Sequence, residues 1–274
     1  MPSERVEPIS EAATTRRAVD PLDADAVIDL FGRICDRTAA ALADNDDWSL
    51  SGDRASQYSV DVVVDAICLE ALHGAGFAVL SEESGVTGPD GSVLDEVPGH
   101  VVVVDPLDGS TNAALGLPWC ATALCLVSDG RPTLSMVTNL RTGDRFTAVS
   151  GRGAQLDGRP LLVSRGPTSL EEAIVAINAR SPGSFRPRQF RAMGATALDI
   201  TAVAAGGFDG TVDFAADRIG VWDYLAAVHV LEEAGGVAVD ARGRELVVLD
   251  PSERRAPVTA STVELLAALV ATTS

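Results

Sequence analysis

The chain has few of the residues that most often announce a cofactor or a partner. Seven Phe, three Trp and two Tyr are all its aromatics in 274 residues, which leans against a site that stacks a nucleobase. Histidine occurs only at His73, His100 and His229, and the cysteines at 35, 68, 120 and 125 form no Cys-x-x-Cys. Zinc chemistry is therefore not expected. Basic residues are scarce beside acidic ones, 21 against 39, for a net charge of −18. Nucleic acid polymers and anionic membranes attract cationic patches, so neither is expected as a partner. A small anionic substrate stays admissible, because a bound divalent cation inverts the sign locally. No apolar segment approaches the length of a membrane span, and Met1-Pro2-Ser3-Glu4-Arg5 opens no signal-peptide core. The cysteines read as reduced core residues, which fits cytoplasm.

What is present is concentrated in one stretch. Four valines, Val101 to Val104, read as a buried strand, and Asp105-Pro106-Leu107-Asp108-Gly109-Ser110-Thr111-Asn112 follows directly. Two carboxylates three residues apart thus stand where a strand ends, with a Gly-Ser-Thr turn leading onward. Carboxylates are hard oxygen ligands for a cation such as Mg²⁺, and the turn amides can hold an anion. The combination points to metal-dependent chemistry on phosphate. The string Asp20-Pro21-Leu22-Asp23-Ala24 repeats the first letters of this motif without the strand or the Gly-Ser-Thr, and reads as a helix N-terminus.

Hydrophobic residues at 46% and charged residues at 22% suit a globular chain with a sizeable core. Residues 1–22 are polar and Pro-punctuated and read as a loose tail. Helices are expected over 24–42 and 60–75, followed by a strand over 77–80 that runs into Ser81-Glu82-Glu83-Ser84-Gly85. Strands over 122–127, 133–138 and 145–149 suggest an antiparallel meander. Further on, strands are expected at 173–177, 210–214, 237–240 and 246–249. Helices are expected at 194–205, 224–234 (ended by Gly235-Gly236) and 262–271. Residues 23–164 form one expected half, carrying the metal and phosphate site; residues 165–274 form a second, closing it. The acids Asp61, Glu82, Asp105, Asp108 and Asp223 all fall at strand ends or helix starts, which in α/β folds line one rim of a sheet.

Taken with Ser81-Glu82-Glu83-Ser84-Gly85 and Val221-Trp222-Asp223-Tyr224-Leu225-Ala226-Ala227, the Asp105 motif resembles the inositol monophosphatase family. These are Mg²⁺-dependent, Li⁺-sensitive phosphomonoesterases related to fructose-1,6-bisphosphatases and bisphosphate nucleotidases. The likeness runs from about Asp61 through Gly236, about two thirds of the chain. It implies the family's α/β fold, a layered αβαβα sandwich, and usually a homodimer. It also implies one Mg²⁺ held by Glu82, Asp105 and the Leu107 carbonyl, and a second held by Asp105, Asp108 and Asp223. Asp61 would serve a third, weaker cation. Catalytic roles fall to Glu82, to Ser110 as the hydroxyl that orients the attacking water, and to Asp61 as its partner. The amides of Gly109, Ser110 and Thr111 would cradle the phosphate, while Asp108, Asp223, Gly194, Ala195 and Asp217 complete the expected substrate-facing set. Trp222 reads as a core aromatic beneath Asp223.

The sequence departs from the family at three places. Ala216 stands seven residues before Asp223, where inositol-phosphate enzymes usually carry Glu; either the adjacent Asp217 substitutes or the substrate differs. The family's Lys upstream of Asp61 is replaced by Gly52-Asp53-Arg54, so phosphate contacts from Arg54 or Arg159 are open alternatives to plain surface charge. The aromatic usual after the Thr-Asn pair is Ala113. The resulting expectation is hydrolysis of a small phosphorylated metabolite, an inositol monophosphate or related sugar phosphate, by two-metal-activated water. The rivals are a 3′(2′),5′-bisphosphate nucleotidase, a fructose-1,6-bisphosphatase and a non-catalytic relative. Phosphatases that use an aspartyl nucleophile are disfavoured, because the acids are spaced Asp-x-x-Asp.

Overall fold

The computed structural model describes residues 23–51, 57–215 and 217–273; the tail expected over residues 1–22, the Asp53 and Arg54 positions and Ala216 lie outside them. The chain opens with α1 (Ala24–Asp44), whose N-cap Asp23 accepts the Ala26 amide at 3.1 Å. Then come α2 (Ser59–Gly74), β1 (Ala78–Ser81), β2 (Gly85–Thr87), β3 (His100–Asp108) and the single-turn α3 (Ser110–Ala114). A meander follows: β4 (Ala121–Ser128), β5 (Arg131–Asn139), β6 (Arg145–Val149), β7 (Gly153–Leu156) and β8 (Arg159–Leu161). The remainder is β9 (Ile174–Asn178), β10 (Gln189–Arg191), α4 (Thr196–Ala204), β11 (Gly210–Asp213), α5 (Val221–Glu233), β12 (Val237–Asp240), β13 (Pro257–Ala260) and α6 (Val263–Val270).

Two sheets result. The first has eight strands in the order β2-β1-β3-β4-β5-β6-β7-β8, with β1 parallel to β3 and the rest antiparallel. The second has five in the order β10-β9-β11-β13-β12. Side chains alternate across a strand, and the unbroken apolar run of β3 is buried on both faces for that reason. Val102 and Val104 pack with Leu124, Leu126 and Met136 against α1 and α2, through Phe31, Ile34 and Leu72. Val101 and Val103 pack with Cys125 and Val137 against α4 and α5, through Leu198, Tyr224 and Leu231. The far face of the second sheet, Val175, Ile177, Val212 and Val258, is covered by Leu265, Leu266 and Leu269 of α6. The layers therefore run helix, sheet, helix, sheet, helix, the expected αβαβα order. All four cysteines are buried and free.

Several local expectations differ from the structure. Residues 246–249 form no strand. Leu246 to Leu249 lay their side chains against the α4–α5 core while the backbone is tied irregularly, the Tyr224 hydroxyl donating to the Leu246 carbonyl at 2.5 Å. An apolar run needs only to be covered, and periodicity does not say by which backbone. The sequence pattern also misses β2, β7, β8, β10 and β13, the last of which lies between β11 and β12 and pairs antiparallel with both. The leading Pro257 of β13 reads as a breaker, yet sits at the first strand position, where a missing N–H is tolerated.

Candidate metal and phosphate site

The site begins where β1 and β3 end. Being parallel neighbours, these strands deliver their C-terminal residues to one edge: Glu82 follows Ser81, and its amide donates to the Val104 carbonyl at 3.3 Å. Asp105 and Asp108, three apart, would point to opposite faces of a regular strand. They do not, because β3 carries a bulge between them: Asp105 pairs with Ala123 and Asp108 with Ala121, leaving one extra residue on β3. The Thr122 hydroxyl fastens the bulge by donating to the Pro106 carbonyl at 2.8 Å. Both carboxylates thus face the α4–α5 side. Asp108 accepts the α4 amides of Thr196 at 3.2 Å and Ala197 at 2.7 Å, and each of its oxygens keeps a second lone pair.

The third carboxylate arrives on α5. Asp223 accepts the Gly220 amide at 2.7 Å, which stops the helix start from fraying and holds the acid over the strand ends. Trp222 is buried beneath it and folds back under Gly220, where a Cβ would meet the indole at 2.4 Å. Arg254 lies over the ring at 5.0 Å. Glu82, Asp105 and Asp223 each place a carboxylate oxygen within 4.8 Å of the others. Burial, then the Glu82 charge, pushes the Asp223 carboxyl up to about 7, and burial with Glu82, Asp108 and Asp223 drives Asp105 well above the usual range. Asp105 Oδ1 accepts the Leu107 amide at 3.0 Å, while Oδ2 is buried and receives no donor. Three crowded carboxylates and one orphaned oxygen fit a hard divalent cation.

Above them lies a cavity of about 400 Å³. Asp61, Glu82, Leu107, Gly109, Ser110, Thr111, Gly194 and Asp223, all expected at the site, line it. Asp61 stands in the first turn of α2, where one oxygen accepts the Tyr58 amide at 2.8 Å. Gly109 has φ +82°, and a Cβ there would meet the Trp119 carbonyl at 2.8 Å and the Ala195 Cβ at 3.0 Å. Only glycine lets α3 turn that closely, and the first-turn amides of Ser110 and Thr111 have no intrahelical acceptor. Asn112 then donates to the Trp119 carbonyl at 2.9 Å and the Met193 carbonyl at 2.7 Å, which brings the Gly194–Ala195 turn alongside; Ala195 is buried as the N-cap of α4.

One expected residue is elsewhere. Asp217, at φ +51°, is not in the cavity wall: Arg244 donates to it at 2.6 Å, and Arg242 donates to its other oxygen. Arg159 is exposed in β8 and does not line the cavity either. Four participants escaped the sequence reading. Gln57, Glu83 and Arg218 also line the cavity, with Gln57 donating to Glu83. Asp65, one turn along α2 from Asp61, accepts the Ser81 hydroxyl at 2.5 Å and the Ser84 hydroxyl, and so holds the Glu82 turn from behind. The four-residue spacing from Asp61 was a legible signal for Asp65; a lone loop arginine carried none.

The carboxylate cluster has a measurable pH signature. Asp223 sits at about 7 folded against an ordinary 3.8. Between those values the metal-free folded state binds more protons than the unfolded chain, so stability falls as pH rises through about 4 to 7 and stays low above. A cation compensates the charge, and it needs the deprotonated carboxylates. The gain in Tm on replacing EDTA with excess Mg²⁺ is therefore expected to be small at pH 5 and to grow to several degrees by pH 8. Equal gains at both pH values, read by thermal unfolding, would remove the cluster as the binding locus.

A sequence model described as the inositol monophosphatase family matches residues 49–273. A fructose-1,6-bisphosphatase/inositol-1-monophosphatase of Thermococcus kodakarensis is 32% identical over 201 residues, covering 73% of this chain and 75% of the relative. An inositol-1-monophosphatase of Mycolicibacterium smegmatis is 32% identical over 202 residues, covering 67% and 69%. A solved Pyrococcus horikoshii protein, described as having similarities to inositol-1 monophosphatase, superposes with a TM-score of 0.77 at 24% identity, covering 90% of this chain and 96% of its own. That likeness carries the fold.

Proposed function

The chain belongs to the inositol monophosphatase family, and from that premise we propose that it hydrolyses a small phosphomonoester, an inositol monophosphate or related sugar phosphate, with Mg²⁺. The observation that carries this reading is one cavity that brings two features together: Glu82 and Asp223, which cluster with the buried Asp105, line it along with the Gly109, Ser110 and Thr111 turn. Phosphoryl transfer needs mainly positioning and charge neutralisation, and these features supply sites for both.

Glu82, Asp105 and the Leu107 carbonyl would hold one Mg²⁺; Asp105, Asp108 and Asp223 would hold a second, and Asp61 a third, weaker one. When bound, the cations neutralise the developing phosphoryl charge and lower the pKa of water. The turn amides orient the phosphate oxygens. Ser110 aligns the attacking water, with Asp61 fixing the hydroxyl, and Glu82 sits on the same edge. Gly194 and Ala195 border the alcohol portion of the substrate. Displacement is direct, with no covalent intermediate. Residues 23–164 and 165–274 act as two halves closing one site, in a cytoplasmic homodimer. Among the described residues no helix is long and apolar enough to cross a membrane.

The deciding assay is phosphate release from inositol 1-phosphate, fructose 1,6-bisphosphate, adenosine 3′,5′-bisphosphate, histidinol phosphate and glycerol 2-phosphate, each with Mg²⁺ and with EDTA. Turnover that requires Mg²⁺ is expected on at least one sugar or inositol phosphate. Folded protein that releases no phosphate from any of them would point to a non-catalytic relative.

A further inference from the structure

The turn from Gly109 to Asn112 rests on residue 119. A Cβ at Gly109 would meet the Trp119 carbonyl at 2.8 Å, and the Asn112 side chain donates to that same oxygen at 2.9 Å. Trp119 belongs to no helix or strand; it lies between α3 and β4, after the exposed Leu115, Gly116, Leu117 and Pro118. Its flanking carbonyls are tied within the first half of the chain, Pro118 accepting from the Asn139 side chain at 3.1 Å and Cys120 from the Leu140 amide at 3.0 Å. The indole carries a tie into the second half. Its N–H donates to Asp199 at 2.8 Å, and the ring meets Phe208 edge-on with centroids 6.4 Å apart.

Asp199 stands in the first turn of α4 and is 2% exposed; its other oxygen, Oδ2, is buried with no donor. Burial pushes its carboxyl up to about 7, and the indole bond works against that rise. Packing alone asks for an apolar side chain here, as at Leu198 and Ile200 beside it. A buried carboxylate is costly, and the indole is the partner that it holds. The same turn of α4 gives the Thr196 and Ala197 amides to Asp108. It therefore grips the phosphate turn twice: directly at Asp108, one residue before Gly109, and through Trp119, on whose carbonyl Gly109 and Asn112 rest.

We propose that Asp199 is a positioning residue for phosphoryl transfer, holding the Gly109, Ser110 and Thr111 amides in place through the Trp119 indole. This rests on the phosphatase reading of the cavity. Donors fixed beforehand cost no reorganisation as charge develops, and a misplacement of about 1 Å can cost on the order of 10²-fold in rate. Trp119→Phe removes the N–H and keeps a ring against Phe208. Measured on the best substrate, well below the Tm of each variant, it should lower kcat by about tenfold or more. Mg²⁺ half-saturation should stay within about twofold, because Glu82, Asp105 and Asp223 are carried by other elements. Asp199→Leu should show the same loss, whereas Asp199→Asn, which keeps an oxygen for the indole, should recover most of the rate. The double variant Trp119→Phe/Asp199→Leu should be no slower than either single one, as for two groups acting through one bond. Phe208→Leu is the packing control: Tm falls and kcat stays near that of the wild type.

A kcat near the wild-type value in Trp119→Phe overturns the proposal. So do losses that add in the double variant, or a Phe208→Leu loss as large as that of Trp119→Phe. The double variant leaves neither a donor nor an acceptor buried alone, so it decides if Asp199→Leu fails to fold: wild-type kcat in it overturns the proposal as well. Wild-type protein that releases no phosphate with Mg²⁺ from any ester overturns the phosphatase reading itself, an outcome reached before any variant is compared.

Discussion

Asp105→Asn is expected to lower Mg²⁺-dependent turnover by about 10³-fold or more while leaving the fold intact. Asp105 is the buried member of the cluster with Glu82 and Asp223, 1% exposed, and its Oδ2 is buried with no donor to meet it. Replacing that oxygen by an amide nitrogen removes one negative charge and one ligand from a site that neutralises phosphoryl charge. Such neutralisation contributes several kcal/mol, and each 1.36 kcal/mol is tenfold in rate. The same change should stabilise the metal-free protein. Oδ1 of the asparagine can still accept the Leu107 amide, the new N–H₂ can donate to the two neighbouring carboxylates, and the repulsion from Glu82, Asp108 and Asp223 is relieved. The signature is therefore double: turnover lost, and Tm in EDTA equal to or above that of the wild type. Near-normal Mg²⁺-dependent turnover would sink the assignment; a large fall in Tm would show that the residue is structural instead.

Ser110→Ala should lower kcat by roughly 10²-fold with little change in KM, the size typical of a lost proton-handling or water-orienting group. The substitution is clean. Ser110 opens α3 directly after the left-handed Gly109, so alanine keeps the helix, the turn and the backbone amide that would hold phosphate. Only the hydroxyl goes, and it lines the same cavity as Asp61. Ser110→Thr keeps a hydroxyl there and should retain most of the rate. Steady-state kinetics on the best substrate decides: an unchanged kcat in the alanine variant removes Ser110 from the mechanism, and equal losses in both variants would place the effect in packing.

Much of the site was legible because its signals are local. A valine run followed by Asp-Pro-Leu-Asp-Gly-Ser-Thr says that a buried strand ends in carboxylates and a tight turn, whatever surrounds it. Glu82 and Asp223 are likewise marked by their positions at a strand end and a helix start. The errors fell where local pattern is silent. Leu246 to Leu249 satisfy a strand pattern but serve as an irregular cover for the core, while the short β13 hides behind a proline. Asp217 was singled out by its place in the sequence. Its neighbour Arg218 faces the cavity instead, because Arg242 and Arg244, 25 and 27 residues away, claim the aspartate.

By itself, then, the sequence determined the alternation that buries β3 on both faces, the helices with apolar stripes and the glycine-bearing turn, since period and turn chemistry depend on neighbours along the chain. Tertiary structure alone decided which charges meet. The β3 bulge that turns Asp105 and Asp108 to one side exists because β4 is paired against them. Asp108 reaches α4 amides 88 and 89 residues away, and the Trp119 indole donates to Asp199 across 80. Electrostatic pairing acts through space and falls off with distance, so no reading along the chain can supply it.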